Sequence, residues 1–349
     1  MIRLAIIGTG GMANSHAWSF NKIRGCRVVA CCDIVPGRAE KFAAQYGIPS
    51  AYTSAEEMLA AESLDAVSIV TTDNVHAECA LLAIKHGLHV LCEKPLADNL
   101  KDAKRMAEAA RRKGVLTTVN FSYRNAPATQ RAAQMAGNGD LGRIIHVEGR
   151  YLQSWLVSKA WGDWHVERAW LWRLSTRHGS MGCLGDIGVH LYDLASFVVG
   201  DISEVYCDLE TFKKDAKRIG EYVFDANDSM AATVRFANGA LGALHSSRWA
   251  TGHMNTVALR VHGDQGALDL NLDRQEPERL LVCIGQKALD RGDWKPVKCP
   301  KTPTMYQRFI TSIQKGEQGQ AGFDVGGRVQ AYLDASFKSA KARKPVEIK

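Results

Sequence analysis

The sequence predicts an α/β protein: an N-terminal doubly wound domain followed by a C-terminal α/β domain built on an open, mainly antiparallel sheet. Short apolar runs alternate with helical stretches through the first 120 residues. A glycine-rich turn stands directly between the first apolar run and the first helix. From Glu204 to Ile284, strand-like segments follow one another with turn signals between them, which implies hairpins.

Ile2, Leu4, Ala5, Ile6 and Ile7 suit a buried parallel strand, and Gly8-Thr9-Gly10-Gly11-Met12-Ala13 leads straight into a helix. This is a Rossmann-type fingerprint. Gly8 permits the tight turn, Gly10 lets the backbone approach a pyrophosphate, and Ala13 is small enough for helix and strand to pack. The helix N-terminus adds free N–H groups and a positive dipole end. Asp33, 20 residues past Ala13, closes the apolar run Arg27–Cys32, where a carboxylate accepts from a ribose 2′-OH and repels a 2′-phosphate. NAD is therefore favoured, and Arg38 lies close enough to leave NADP possible.

A helix over Pro36–Tyr46 ends at Gly47, and a short one follows at Ala55–Ala61. The strand Ala66–Thr71 and the helix Val75–His86 come next. The latter is stopped by Gly87 before the strand Leu88–Cys92, and the helix Asn99–Lys113 is closed by Gly114 before Val115–Val119. The pattern then changes: a helix at Ala126–Ala136, a strand at Arg143–Leu152, and a segment carrying Trp155, Trp161, Trp164, Trp170 and Trp172. One helix over Leu184–Val199 precedes strands at Ser229–Phe236, Ala240–Arg248, Thr256–His262, Ala267–Leu272 and Leu280–Ile284. Helices at Met305–Lys315 and Val325–Lys341 close the chain. The expected domains are residues 1–120, binding the dinucleotide, and 121–349, binding substrate and mediating oligomerisation.

Composition narrows the class. With 349 residues, 46% hydrophobic and 23% charged, the chain is long enough for two cores and has ordinary globular composition. No apolar run reaches the roughly 18 residues that span a bilayer. The strand at the very N-terminus leaves no room for a signal peptide, and nine scattered cysteines read as reduced core residues of a cytoplasmic protein. No CxxC or HExxH spacing points to a metal. Net charge is +7, but the basic residues are dispersed, and the cluster Lys338, Lys341, Arg343 and Lys344 reads as a solvated helix end, so nucleic acid and membrane are not expected partners.

Three constellations carry chemistry. The strand Leu88–Cys92 ends in Glu93-Lys94-Pro95, at the sheet edge where such folds bind ligands. Lys94 there either polarises a substrate hydroxyl or is an ordinary surface lysine, and a cis Pro95 would aim it. In Gly185–Asp193, the residues Asp186, His190 and Asp193 fall on one face of an α-helix, which places an imidazole base between carboxylates. The tryptophans, with Gln153, Asp163, His165 and Arg173, suit a sugar pocket of stacked C–H faces and hydrogen-bonded hydroxyls. Core or subunit-interface packing is the competing use of those rings and is expected to claim at least half.

Taken together, the glycine turn, Asp33, His76, Glu93-Lys94-Pro95, Tyr123-Arg124 with Pro127, Trp172-Arg173 and Gly185–Asp193 resemble the Gfo/Idh/MocA oxidoreductases nearly end to end. The resemblance implies that Lys94 and His190 are catalytic, with Asp186 assisting them. It implies a cofactor site of Gly8, Thr9, Gly10, Gly11, Met12, Asp33, Arg38, Thr71, Thr72, His76, Glu93, Lys94 and Asn120. A substrate site of Lys94, Tyr123, Arg124, Gln153, Trp172, Arg173, Asp186 and His190 follows. Asn120 and Ser122 depart from the common pattern of glycine first and asparagine third, so their roles stay open. The expected activity is NAD-dependent oxidation of a sugar, anhydrosugar or cyclitol hydroxyl by a homo-oligomer. A keto-sugar reductase, an NAD-dependent glycosidase and a non-catalytic NAD-binding regulator are the alternatives.

Overall fold

The computed structural model describes residues 1–273 and 278–348. It divides into two compact units: Met1–Phe121 with Pro303–Gln330, and Ser122–Thr302 with the chain from Ala331 on. In the first unit β1 (Ile2–Ile7), α1 (Ala13–Phe20), β2 (Cys26–Cys32), α2 (Arg38–Tyr46), β3 (Ser50–Tyr52), α3 (Ala55–Ala61), β4 (Ala66–Ile69), α4 (His76–Lys85), β5 (His89–Cys92), α5 (Leu100–Lys113) and β6 (Thr117–Val119) alternate. The sheet order is β3-β2-β1-β4-β5-β6 with every pair parallel. The chain reverses its winding direction at β1, so the crevice beyond the end of β1 is where a dinucleotide binds in this architecture.

Local chemistry sets the helix ends. Asn99 caps α5 by accepting from the Asp102 N–H at 2.9 Å, and Gly114 ends it in the left-handed region. Along α1 the buried residues Ala13, His16, Ala17 and Phe20 recur at helical spacing, so a histidine lies within the stripe that faces the sheet. The strand β3 escaped the sequence reading because it has only three residues, all half-buried.

The second unit contains α6 (Pro127–Gly137), β7 (Ile144–Leu152), α7 (Arg168–Leu171), α8 (Val189–Val199), β8 (Ile202–Glu210), the hairpin β9 (Arg218–Ile219) and β10 (Tyr222–Val223), β11 (Ser229–Phe236) and β12 (Leu241–Ser247). There follow along the chain β13 (Thr256–Gly263), β14 (Gly266–Asn271), β15 (Arg279–Ile284), α9 (Gln286–Arg291), β16 (Lys295–Pro296), α10 (Met305–Lys315), α11 (Phe323–Ala342) and β17 (Val346–Glu347), of which α10 and the start of α11 belong to the first unit. Nine strands form one sheet in the order β16-β15-β14-β13-β7-β12-β11-β8-β17. Only β7 and β12 pair in parallel; the remaining ladders are antiparallel. Burial alternates along β11 and β12, so one face lies over the core with α6 and α8 and the other is open.

The helix α10 packs with the first unit, although the sequence reading put the whole of 121–349 in the second. Phe309 and Ile310 are buried in the same cluster as Leu4, Ile6, Phe20 and Val28. Each such burial is worth about 1.5–3 kcal/mol, enough to hold a sequence-distant helix against the first sheet. A Thr304–Gln307 capping box fixes where that helix starts.

Candidate active site

On the first unit, Gly8 has a φ of 90°, and a Cβ there would stand 2.7 Å from the Val70 carbonyl oxygen. Gly10 and Gly11 have nothing within 4 Å of a Cβ position. That open room beside the α1 N-terminus fits a pyrophosphate. Gly8→Ala is therefore expected to lower the thermal midpoint, whereas Gly10→Ala keeps the parent midpoint and loses NADH affinity, as read by calorimetry and fluorescence titration.

Asp33 stands at the end of β2 against the glycine turn. Asp33 Oδ2 accepts from the Thr9 N–H and the Thr9 hydroxyl, each at 2.9 Å, and Oδ1 accepts from the Val35 N–H at 2.9 Å. Burial alone would raise its pKa, but these hydrogen bonds and Arg38, 3.5 Å from Oδ1, hold it below the ordinary value. An ionised carboxylate at this place repels a 2′-phosphate, and Arg38 is already drawn toward it.

The loop after β5 is held by a buried network that sequence reasoning saw only in part. His16 is fully buried, with Nδ1 2.8 Å from the Ser68 hydroxyl and Nε2 2.8 Å from Glu93 Oε1. Asn120 donates to the same Glu93 oxygen at 2.6 Å and to the Tyr306 hydroxyl at 3.3 Å. Asn120, whose role the pattern left open, thus supports Glu93. Neither His16 nor Tyr306 was anticipated; the available signal was a histidine on the apolar stripe of α1. His76, also fully buried, sits between the carbonyls of Pro95 (2.8 Å) and Thr71 (3.3 Å), and the Lys94–Pro95 bond is cis. Thr72 is exposed, and Met12 is 49% exposed beside the glycine turn.

Burial would raise the Glu93 pKa, but the His16 hydrogen bond and charge, Lys94 and Asn120 overcome it and lower the value to about 2 from 4.5. The sign follows: a depressed carboxylate contributes stability that is complete above pH 4.5 and is lost as the pH falls toward 2. The difference in urea midpoint between the parent and Glu93→Gln is expected to be largest near neutrality and to shrink across that window. A difference that does not change with pH would contradict this ionisation.

On the second unit, Leu184–Gly188 winds as a π-helix and only then does α8 begin. The single α-helix expected over Leu184–Val199 is corrected here to a π-turn followed by an α-helix. The wider turn shifts the helical phase. Asp193 instead forms a buried ion pair with Arg124 on its own unit, the two side chains being 2% and 5% exposed. Arg124, expected at the substrate, spends its guanidinium there and over the Phe197 ring. Asp186 faces two arginines: Arg248 Nη2 at 2.9 Å and Arg173 Nε at 3.7 Å.

His190 is buried, with the Tyr123 ring edge-on at 5.1 Å and the Tyr151 ring at 6.1 Å. Gln153 is buried as well and donates to Asn255 Oδ1 at 2.8 Å. Among the tryptophans, Trp155 and Trp164 form a core with Leu156, Leu171 and Leu174, and Trp161 and Trp170 pack against it. Core packing therefore claims four of the five rings. Trp172 keeps a half-buried position, with the Arg173 guanidinium 4.6 Å over it and 5.1 Å from Trp170. Among the described residues no cluster is suited to a metal ion, and no helix is long and apolar enough to cross a membrane.

Comparison with known proteins places these features. Residues 2–121 match the model of the GFO/IDH/MocA oxidoreductase family with its NAD-binding Rossmann fold, and residues 129–269 match the C-terminal domain of that family. Levoglucosan dehydrogenase of Pseudarthrobacter phenanthrenivorans is 28% identical over 321 residues, 85% of this chain and 80% of that protein. D-glucoside 3-dehydrogenase of Escherichia coli is 31% identical over 255 residues, 70% of each. A structure of levoglucosan dehydrogenase in complex with NADH and levoglucosan superposes with a TM-score of 0.89, at 26% identity over 99% of both chains. The chain belongs to the GFO/IDH/MocA family of NAD-binding oxidoreductases.

Proposed function

We propose that this protein oxidises one secondary or anomeric hydroxyl of a sugar, anhydrosugar or cyclitol. The observation that carries the reading is the second unit's buried imidazole: His190 is bracketed by two tyrosines in a chain whose relatives are named for oxidising levoglucosan and D-glucosides. NAD, held by the glycine turn, Asp33 and the Glu93-Lys94 loop, supplies the hydride acceptor. His190 takes the hydroxyl proton, and Lys94 is a hydrogen-bond donor that favours the alkoxide. Asp186 acts as a fixed negative charge. Its partner Arg248 is fully buried, so the carboxylate is committed to that ion pair rather than to proton transfer. Trp172 and Arg173 supply an apolar face and a donor fork for substrate hydroxyls.

A panel of levoglucosan, D-glucose, methyl D-glucosides and myo-inositol, each with NAD and with NADP, tests this by absorbance of the reduced cofactor. At least one compound is expected to yield net NADH, and NADP is expected to support less turnover because of Asp33. Product without net NADH would favour the glycosidase alternative. Reduction of a keto-sugar alone would favour the reductase. No turnover of any kind would favour the regulator.

Two coarser features fit the same reading. The open face of the nine-stranded sheet carries exposed Tyr206 and Leu241, and we read it as a self-association surface. Light scattering on Tyr206→Glu, Leu241→Glu should then report a smaller particle than the parent. All nine cysteines are free, which suits a reducing, cytoplasmic setting.

A further inference from the structure

We infer that Asn255, which belongs to none of the catalytic constellations, is a positioning residue for His190; the inference rests on His190 as the base. A closed ring of hydrogen bonds joins Asn255 to two tyrosines in the second unit. The Asn255 Nδ2 can only donate, and it donates to the Tyr123 hydroxyl at 2.7 Å. The Asn255 Oδ1 can only accept, and it takes the Tyr151 hydroxyl proton at 2.9 Å. With that proton spent, the 2.9 Å bond between the two hydroxyls runs from Tyr123 to Tyr151. Each bond in the ring therefore has one direction. Gln153 adds a second donor to Asn255 Oδ1 at 2.8 Å. Asn255 is 1% exposed and Tyr151 4%, while Tyr123 is half-buried, so water is kept from the Asn255–Tyr151 side of the ring.

The consequence falls on the imidazole. The Tyr123 ring meets His190 edge to face, at 5.1 Å and 89°, and meets Tyr151 at 5.4 Å and 84°. Tyr151 in turn lies 6.1 Å from His190 at 49°. Tyrosines pinned at their hydroxyl ends hold their rings, and the rings hold the imidazole plane. A flip of that plane exchanges Nδ1 and Nε2, so the ring fixes which nitrogen receives the substrate proton. Asn255 thus sets the orientation of the base through the two tyrosines.

The test is nuclear magnetic resonance of protein labelled with nitrogen-15 at histidine, in complex with NADH, with His190 assigned by the signal missing in His190→Asn. The parent is expected to show one His190 tautomer. Asn255→Leu and Tyr151→Phe each open the ring without adding charge, and each is expected to lose that single tautomer to a mixture of two while keeping NADH affinity. Should Asn255→Leu fail to fold, Tyr151→Phe, which loses one oxygen atom, decides alone. His190 signals that superimpose on the parent's would overturn the inference and leave the base assignment standing. Undiminished turnover in His190→Asn would instead overturn the base assignment.

Discussion

His190→Asn is expected to lower kcat by about a hundredfold to ten-thousandfold, the range that a positioned acid or base contributes, while NADH affinity stays at the parent value. Asparagine keeps much of the volume and the hydrogen-bonding capacity of the imidazole but cannot take up a proton. Neither acidic residue of the same motif is placed to substitute. Asp186 is committed to its ion pair with Arg248, and Asp193 to Arg124. The loss should therefore fall on kcat and kcat/KM together, and the acid limb of the pH–rate profile that an imidazole base produces should disappear. Lys94→Met is expected to give a comparable loss, and Lys94→Arg should not restore it, because a planar fork does not reproduce a compact ammonium. Steady-state kinetics on the best substrate of the sugar panel decide the matter. Turnover within tenfold of the parent in both His190→Asn and Lys94→Met would reject the assignment of these two residues.

Much of the first unit was legible because its signals are local. The central strands β1, β2, β4 and β5 are largely apolar, and the helix ends carry glycines such as Gly47 and Gly114 that adopt positive φ. The Asp33 position follows from a fixed spacing in one βαβ unit. The second unit was legible in kind but not in register. The parallel pairing of β7 with β12 joins segments nearly 90 residues apart, and nothing within either strand signals it. The π-turn was hidden as well, since Leu184, Ile187 and Leu191 also fit an α-helical stripe and only the packing against neighbouring elements selects the wider turn. His16 and Asn255 escaped for a related reason. Each is one polar residue whose partners come from distant strands and turns, so its role exists only after folding.

Arg248→Met is expected to be the most destabilising single change at the site, by about 3 kcal/mol, the lower end of what breaking a buried ion pair costs. The guanidinium is fully buried, and each of its bonds is to a different part of the unit. Nη1 donates to the Arg173 carbonyl at 2.9 Å, while Nη2 donates to the Gly182 carbonyl at 3.0 Å and to Asp186 at 2.9 Å. Methionine fills the volume and satisfies none of these acceptors. The Asp186 side chain is 23% exposed, so water screens part of its lost partner, and that is why the lower end of the range applies. The Arg173 carbonyl keeps the Ser180 hydroxyl as a donor at 2.7 Å, so the buried Gly182 carbonyl leaves the larger share of the penalty. Arg248→Lys restores charge but reaches only part of the fork, and should recover about half of the loss in urea unfolding. Asp186→Asn separates the two contributions: an amide oxygen can still accept from Arg248, so stability should fall by less than in Arg248→Met, while kcat falls because the fixed negative charge is gone. A methionine variant within about 1 kcal/mol of the parent, well below the cost of a broken buried pair, would mean that Asp186 is not held by Arg248.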